Sequence, residues 1–227
     1  MKNKDKYILA IDLGTSGPKT ALVSVYGEVL DCEFEETPVI LLPGGGAEQD
    51  PEGWWKAVSS TSKRLLGKKL IPPEDIAAVS VTSQWSGTVP VDKDGNHLMN
   101  GIIWMDCRGS EALKDSLTGL IKIKGLPLFK MLAWLKLTGG APAQSGKDPL
   151  AHILWIKKTR PDLYHKTFKF LDPKDYLNLR LTGKFAATFD SILLHWVTDN
   201  RDPARIAYSD KLLKMTGIER EKLPDLI

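Results

Sequence analysis

The chain has 227 residues, 42% hydrophobic and 26% charged, the balance of a soluble globular protein able to bury a sizeable core in one large or two small domains. Its 31 basic and 28 acidic residues leave a net charge of +3, and beyond a short basic start no run of like charge asks for nucleic acid or an anionic membrane. Two cysteines, Cys32 and Cys107, make no disulfide framework, the four histidines show no metal-ligand spacing with them, and no apolar run has signal-peptide or membrane-spanning length, so the expectation is a cytoplasmic protein.

Tyr7 to Ile11 is a continuous apolar run, which predicts a strand covered on both faces and ending at Asp12 before a glycine-rich turn. Ala21, Val23 and Val25 alternate, and after Tyr26-Gly27 the chain resumes at Val29 and Leu30, so a second and third strand pair as a hairpin. Asp50-Pro51 has the form of an N-cap and first helical residue. Trp54, Val58, Thr61 and Leu65 follow at helical spacing, with Trp54 turned to the sheet and Gly67 as the stop. Pro72-Pro73 precedes a fourth strand at Ile76 to Thr82. Val89 to Val91 then leads through an Asp94-Gly95 turn to a strand at Ile102 to Trp104. These alternating elements predict a mixed α/β sheet.

The second half reads as more helical. Leu128, Met131, Leu132 and Leu135 mark one amphipathic face, Asp148-Pro149 caps a helix carrying Ile153, Leu154 and Ile156, and Asp172-Pro173 opens another that Gly183 ends. Leu137 to Lys147, rich in Gly, Ala and Pro, is expected to be a flexible loop rather than a domain linker.

The turn D-L-G-T-S-G at Asp12 to Gly17 carries the first chemical signal. Glycine after a buried strand lets backbone N–H groups approach an anion, Thr15 and Ser16 add hydroxyls, and Asp12 can hold a hydrated magnesium ion through oxygen. Lys19 either adds positive charge or faces solvent. No G-K-[ST] follows, so the turn is no Walker A loop, and a strand rather than a helix comes next, so it is no dinucleotide fingerprint. A tight hairpin with a capping aspartate would look the same.

The strand-turn-strand context resembles the nucleotide-handling, ribonuclease H-like fold shared by actin, the Hsp70 chaperones and sugar kinases. Within that superfamily the chain resembles the FGGY family of carbohydrate kinases, and most of all its xylulokinase branch. The likeness is spread along the sequence. It includes I-D-L-G-T-S-G-x-K at Ile11 to Lys19, E-Q-D-P-E-x-W-W at Glu48 to Trp55, S-Q-x-x-G at Ser83 to Gly87 and I-x-W-x-D-x-R at Ile102 to Arg108. L-W-I-K-K at Leu154 to Lys158 and P-K-D-Y-L-N-L-R-L-T-G at Pro173 to Gly183 extend it.

The resemblance implies ATP and Mg2+ as cofactors and a sugar or polyol as acceptor, with a homodimer left open. It implies that Asp12, Gly14, Thr15, Ser16 and Lys19 face the phosphates, with Asp12 on the metal, and that Gln84, Trp85 and Ser86 reach the sugar cleft near Asp106 and Arg108. Amide, carboxylate and guanidinium suit a polyol, and an indole face stacks on its C–H groups. The same residues have plainer roles open to them: Gln84 satisfying backbone groups, Trp85 filling a core, Asp106 and Arg108 forming a structural ion pair. Two positions depart from the family pattern. Trp85-Ser86 stands where xylulokinases carry Met-His, and His152 stands where the family signature has lysine.

The family's catalytic aspartate lies beyond the segment that corresponds to Ile227, as does the lobe that binds most of the adenosine. The expectation is therefore an amino-terminal lobe, residues 1–227, of a longer kinase, inactive by itself. Two other classes stay open: a non-catalytic sugar-binding regulator on the same fold, and an ATPase switch of the Hsp70 or actin kind, which would have no use for the sugar-side motifs.

Overall fold

The structure is a computed structural model that describes residues 6–117, 122–123 and 126–227. In chain order it contains β1 (Tyr7–Gly14), β2 (Gly17–Ser24), β3 (Val29–Phe34), β4 (Ile40–Leu42), β5 (Gly46–Gln49), α1 (Pro51–Gly67), β6 (Ile76–Ser83), β7 (Val89–Val91) and β8 (Gly101–Ile102). There follow α2 (Gly109–Ser116), β9 (Lys122–Ile123), β10 (Leu126–Pro127), α3 (Leu128–Thr138), α4 (Pro149–Thr159), α5 (Pro161–Lys166), β11 (Lys169–Leu171) and α6 (Pro173–Thr182). The chain then runs through β12 (Ala186–Ala187), α7 (Phe189–Ile192), β13 (Thr198–Asp199), β14 (Ala207–Tyr208), α8 (Asp210–Thr216) and β15 (Asp225–Leu226). It divides into two compact units. One comprises the residues up to Val39 with Gln49–Gln84, the other Ile40–Glu48 with Trp85–Ile227. Among the described residues no helix is long and apolar enough to cross a membrane.

The first unit is a four-stranded sheet in the order β3-β2-β1-β6, with α1 packed on it. β1 and β2 are antiparallel, as are β2 and β3, while β1 and β6 run parallel. Asp50 accepts a hydrogen bond from the Glu52 N–H and Pro51 supplies the fixed φ, so the helix begins where the sequence predicts, with Trp54 fully buried. Leu9 and Leu22 meet Leu65 of the helix, and the Thr20 hydroxyl lies 2.8 Å from that of Thr61. β1 departs from the expected strand in two ways. Pairing with β2 and β6 carries it through Asp12 to Gly14, and its two faces differ: Leu9, Ile11 and Leu13 are buried on the α1 side, whereas Asp12 on the other face is exposed.

The core of the second unit joins Ile102, Leu113, Trp134, Leu150, Ile153 and Phe170. β7 pairs with β11, and β4, β5 and β8 form a three-stranded sheet. The strand expected at Ile102 to Trp104 stops at Ile102, and Trp104 sits in a turn with its side chain exposed. α3 forms, with only part of the expected face inward: Leu128 and Met131 are half-buried and Met131 packs against the core. Trp134 and Ala133 are buried while Leu132 and Leu135 are exposed, because one large indole, and not the leucine stripe, anchors the helix. Asp148 occupies the N-cap position of α4 without capping it: its carboxylate accepts from the Ala143 N–H and the Trp196 indole instead. Asp172 does cap α6, and Gly183 ends that helix in the left-handed conformation. The stretch Leu137 to Lys147 is mainly loop after α3 ends at Thr138, and it lies within the second unit, not at a unit boundary.

Candidate active site

In the first unit, β1 and β2 close on a two-residue turn, with Gly14 opposite Gly17 and Thr15-Ser16 at the tip. Gly17 is required there. Its φ is +136°, and a Cβ would lie 2.0 Å from the Glu35 carbonyl oxygen. In the register, Asp12 stands opposite Lys19 on β2 and Thr82 on β6, which puts the three side chains on the face away from α1. Asp12, Ser16 and Lys19 are exposed and Thr15 is half-buried. A carboxylate, an ammonium and two hydroxyls are thus gathered at one end of the sheet.

Gln84 follows β6 and belongs to this unit. Its N–H donates to the Leu13 carbonyl (2.7 Å), its side-chain oxygen accepts from the Thr15 hydroxyl (3.2 Å), and its side-chain nitrogen donates to Gln49 (2.7 Å). The amide expected to face a sugar is therefore engaged beneath the turn.

The remaining candidates lie in the second unit. Trp85 is 53% exposed, with its indole N–H donating to the Asp190 carbonyl oxygen at 3.0 Å, so one ring edge is fixed while the ring stays accessible. Asp190 is held in turn by Lys174 at 2.6 Å. Ser86 has φ +67° and donates its hydroxyl to the Lys147 carbonyl at 2.7 Å. Gly87 lies against Pro173, where a Cβ would come within 2.4 Å of the ring.

Asp106 is 1% exposed and fully engaged. Oδ2 accepts from the Ala47 N–H at 2.9 Å and from Arg108 Nε at 2.8 Å, and Oδ1 accepts from the Arg108 N–H at 2.9 Å. Arg108 Nη2 also reaches Glu48 at 2.6 Å, and its guanidinium stacks 4.1 Å from the Trp155 ring centroid. Burial pulls the Arg108 pKa down, but the bonds to Asp106 and Glu48 outweigh it and leave it raised. The structure thus places these two residues in an inward ion-pair network. His152 on α4 is buried with Nδ1 3.1 Å from the Thr88 hydroxyl, and burial pushes its pKa down to about 4 against the opposing charge of Asp106. At neutral pH it is an uncharged ring.

Two features of this region were not read from sequence. Gln49, within the E-Q-D-P motif, is completely buried and joins the turn to Gln84. Lys147 and Asp190, whose carbonyls fix Ser86 and Trp85, are far from them in sequence. For Gln49 a signal was present: a lone amide directly ahead of a helix cap.

The open-faced sheet with its hairpin turn, and the likeness to solved sugar kinases, define a mixed α/β fold of the actin and Hsp70 kind. The gluconate kinase of Lactobacillus acidophilus superposes with a TM-score of 0.82 at 25% identity, over 99% of this chain and 42% of that one. The ligand-bound xylulose kinase of the same organism gives 0.81 at 25% identity, over 98% and 42%. A sequence model of the FGGY family of carbohydrate kinases, N-terminal domain, matches residues 7–227, and the chain belongs to that family. Xylulose kinase of Bacillus subtilis strain 168 is 30% identical over 98% of this chain, and that of Escherichia coli K12 is 29% identical over 96%. The chain spans 42% and 41% of the length of those two relatives.

Proposed function

We propose that this chain is the amino-terminal lobe of an ATP-dependent kinase that phosphorylates a hydroxyl of a sugar or polyol. The observation that carries the reading is the Asp12–Gly17 turn, which collects on one open face what a phosphoryl donor needs. Ser16 offers an exposed hydroxyl and Lys19 a cation opposite Asp12, while Gly17 sets the turn through a φ of +136° and a bare Cα packed against the Glu35 carbonyl. The donor set suits magnesium, a hard ion that takes carboxylate and water oxygens, and Asp12 is the residue that would hold it. Bound there, the ion would offset charge on the transferring phosphoryl group.

On the acceptor side, Trp85 presents a fixed indole face for sugar C–H groups, while Asp106 and Arg108 hold the 106–108 segment to Ala47 and Glu48 in the same unit. Trp85-Ser86 in place of Met-His changes the hydrogen bonds offered, so a xylulose-like ketose is one member of the acceptor class and not its definition. The reading puts the base that takes the acceptor proton, and most of the adenosine pocket, outside residues 1–227, and expects no turnover from those residues alone. The whole kinase works in the cytoplasm.

The test is coupled-assay ADP release by the full-length protein with Mg-ATP across pentuloses, hexuloses, aldonates and polyols. The reading expects at least one acceptor to raise the rate well above background. A flat response across all of them, with ATP shown to bind, would favour the sugar-binding regulator.

A further inference from the structure

Three side chains beneath the phosphate turn close a ring of hydrogen bonds. The Thr15 hydroxyl donates to Gln84 Oε1 at 3.2 Å, Gln84 Nε2 donates to Gln49 Oε1 at 2.7 Å, and Gln49 Nε2 donates to the Thr15 carbonyl oxygen at 2.9 Å. The same Gln49 nitrogen lies 3.5 Å from the carbonyl oxygens of Thr37 and Pro38 and 3.4 Å from the Thr37 hydroxyl. Two backbone bonds frame the ring, Thr37 N–H to the Ser16 carbonyl at 3.0 Å and Gln84 N–H to the Leu13 carbonyl at 2.7 Å. Gln49 is 0% exposed, so water does not replace the partners of its own side chain.

Chemistry fixes the sense of the ring. Three carbonyl oxygens surround one end of the Gln49 side chain, so that end must be the NH₂ group and the other the oxygen. Gln49 Oε1 must then accept, which makes Gln84 the donor and turns Gln84 Oε1 toward the Thr15 hydroxyl. The position asks for a donor and an acceptor at the reach of a glutamine. Glutamate would set a carboxylate against carbonyl oxygens, and methionine would offer neither group. One buried amide therefore sets which way two side chains of the donor and acceptor machinery point, and ties the turn to the 37–38 segment and to the end of β6.

We propose that Gln49 is a positioning residue for the phosphoryl donor: by closing the ring it holds the Thr15-Ser16 tip in the shape that receives phosphate. The inference rests on the kinase reading above. Its test has two arms, Gln49→Met and, because that variant removes a buried amide, Gln84→Met, which opens the same ring at a less buried link.

In residues 1–227, hydrogen exchange of the peptide covering 13–18 should speed up about tenfold in both variants, the loss of roughly one hydrogen bond's stabilisation. In the full-length kinase, KM for Mg-ATP should rise about tenfold while kcat changes less, since binding geometry and not the chemical step is affected. Unchanged exchange at 13–18, or an unchanged KM beside a lowered melting temperature, would make Gln49 a structural filler and overturn the proposal. A wild type without turnover would end the kinase reading and the donor role with it, whereas the exchange arm would still decide whether Gln49 sets the turn.

Discussion

Asp12 in the first unit and Asp106 in the second are both carboxylates within family motifs, and the structure treats them oppositely. Asp12 ends up on the uncovered face of a sheet beside Lys19, exposed. Asp106 is enclosed, with both oxygens committed to Ala47 and Arg108. A buried carboxylate with every lone pair engaged has little left for a ligand, whereas an exposed one at a strand end contributes little to packing. On the proposed function, the difference separates a residue open to a ligand from one that holds the backbone and side chains around it. Trp85 and Gln49 repeat it: the indole is fixed at one edge and open on its face, while the glutamine is entirely internal.

The contrast is open to attack on the stability side. Asp106→Ala should cost most, on the order of 3–5 kcal/mol, because it leaves Arg108 and the Ala47 N–H without their buried partner. Chemical denaturation measures it, and a loss below about 1 kcal/mol would mean the network is looser than its geometry. Gly17→Ala should come next, at about 1–3 kcal/mol, since the new Cβ meets the Glu35 carbonyl at a φ that other residues avoid. The same variant should weaken nucleotide binding, so an unaffected affinity would separate the turn's shape from its function.

A further effect is in pH dependence. Burial raises the Asp175 pKa to about 7, with Ser191 and Lys174 acting against it. Between pH 4 and 7 the unfolded chain has released this proton while the folded chain keeps it, so the residue's contribution falls as pH rises through that window and is level above it. Asp175→Asn should therefore gain stability relative to wild type as pH goes from 4 to 7. His152 and His195, both pushed down to about 4 by burial, act in the other direction. Folded and neutral while the unfolded rings are protonated, they cost stability as pH drops below 6.5. The Asp175→Asn difference curve is thus more informative than either profile alone, and a flat one would refute the assignment.

Much of this was legible in the sequence where a local rule governed. The Asp50-Pro51 and Asp172-Pro173 starts, the Gly183 stop and the β1–β2 turn all depend on residues within a few positions of one another. What escaped depended on partners far along the chain. Asp148 is drawn off its cap by Trp196, 48 residues away, and Asp106 is buried by Ala47, 59 residues away. α3 shows the same limit in packing: Leu132 and Leu135 have the right period, but Trp134 found the core. For the candidate site, motifs supplied the candidates, and only the fold sorted them into exposed and buried.

The most direct test is Asp12→Asn in the full-length protein, with sugar-dependent ADP release and the melting temperature measured on the same preparation. The account predicts that turnover falls by about a hundredfold or more, the scale of losing one preorganised electrostatic contact to transition-state charge, while the melting temperature stays within a few degrees. Turnover near the wild-type rate, or a loss that merely tracks unfolding, would contradict it.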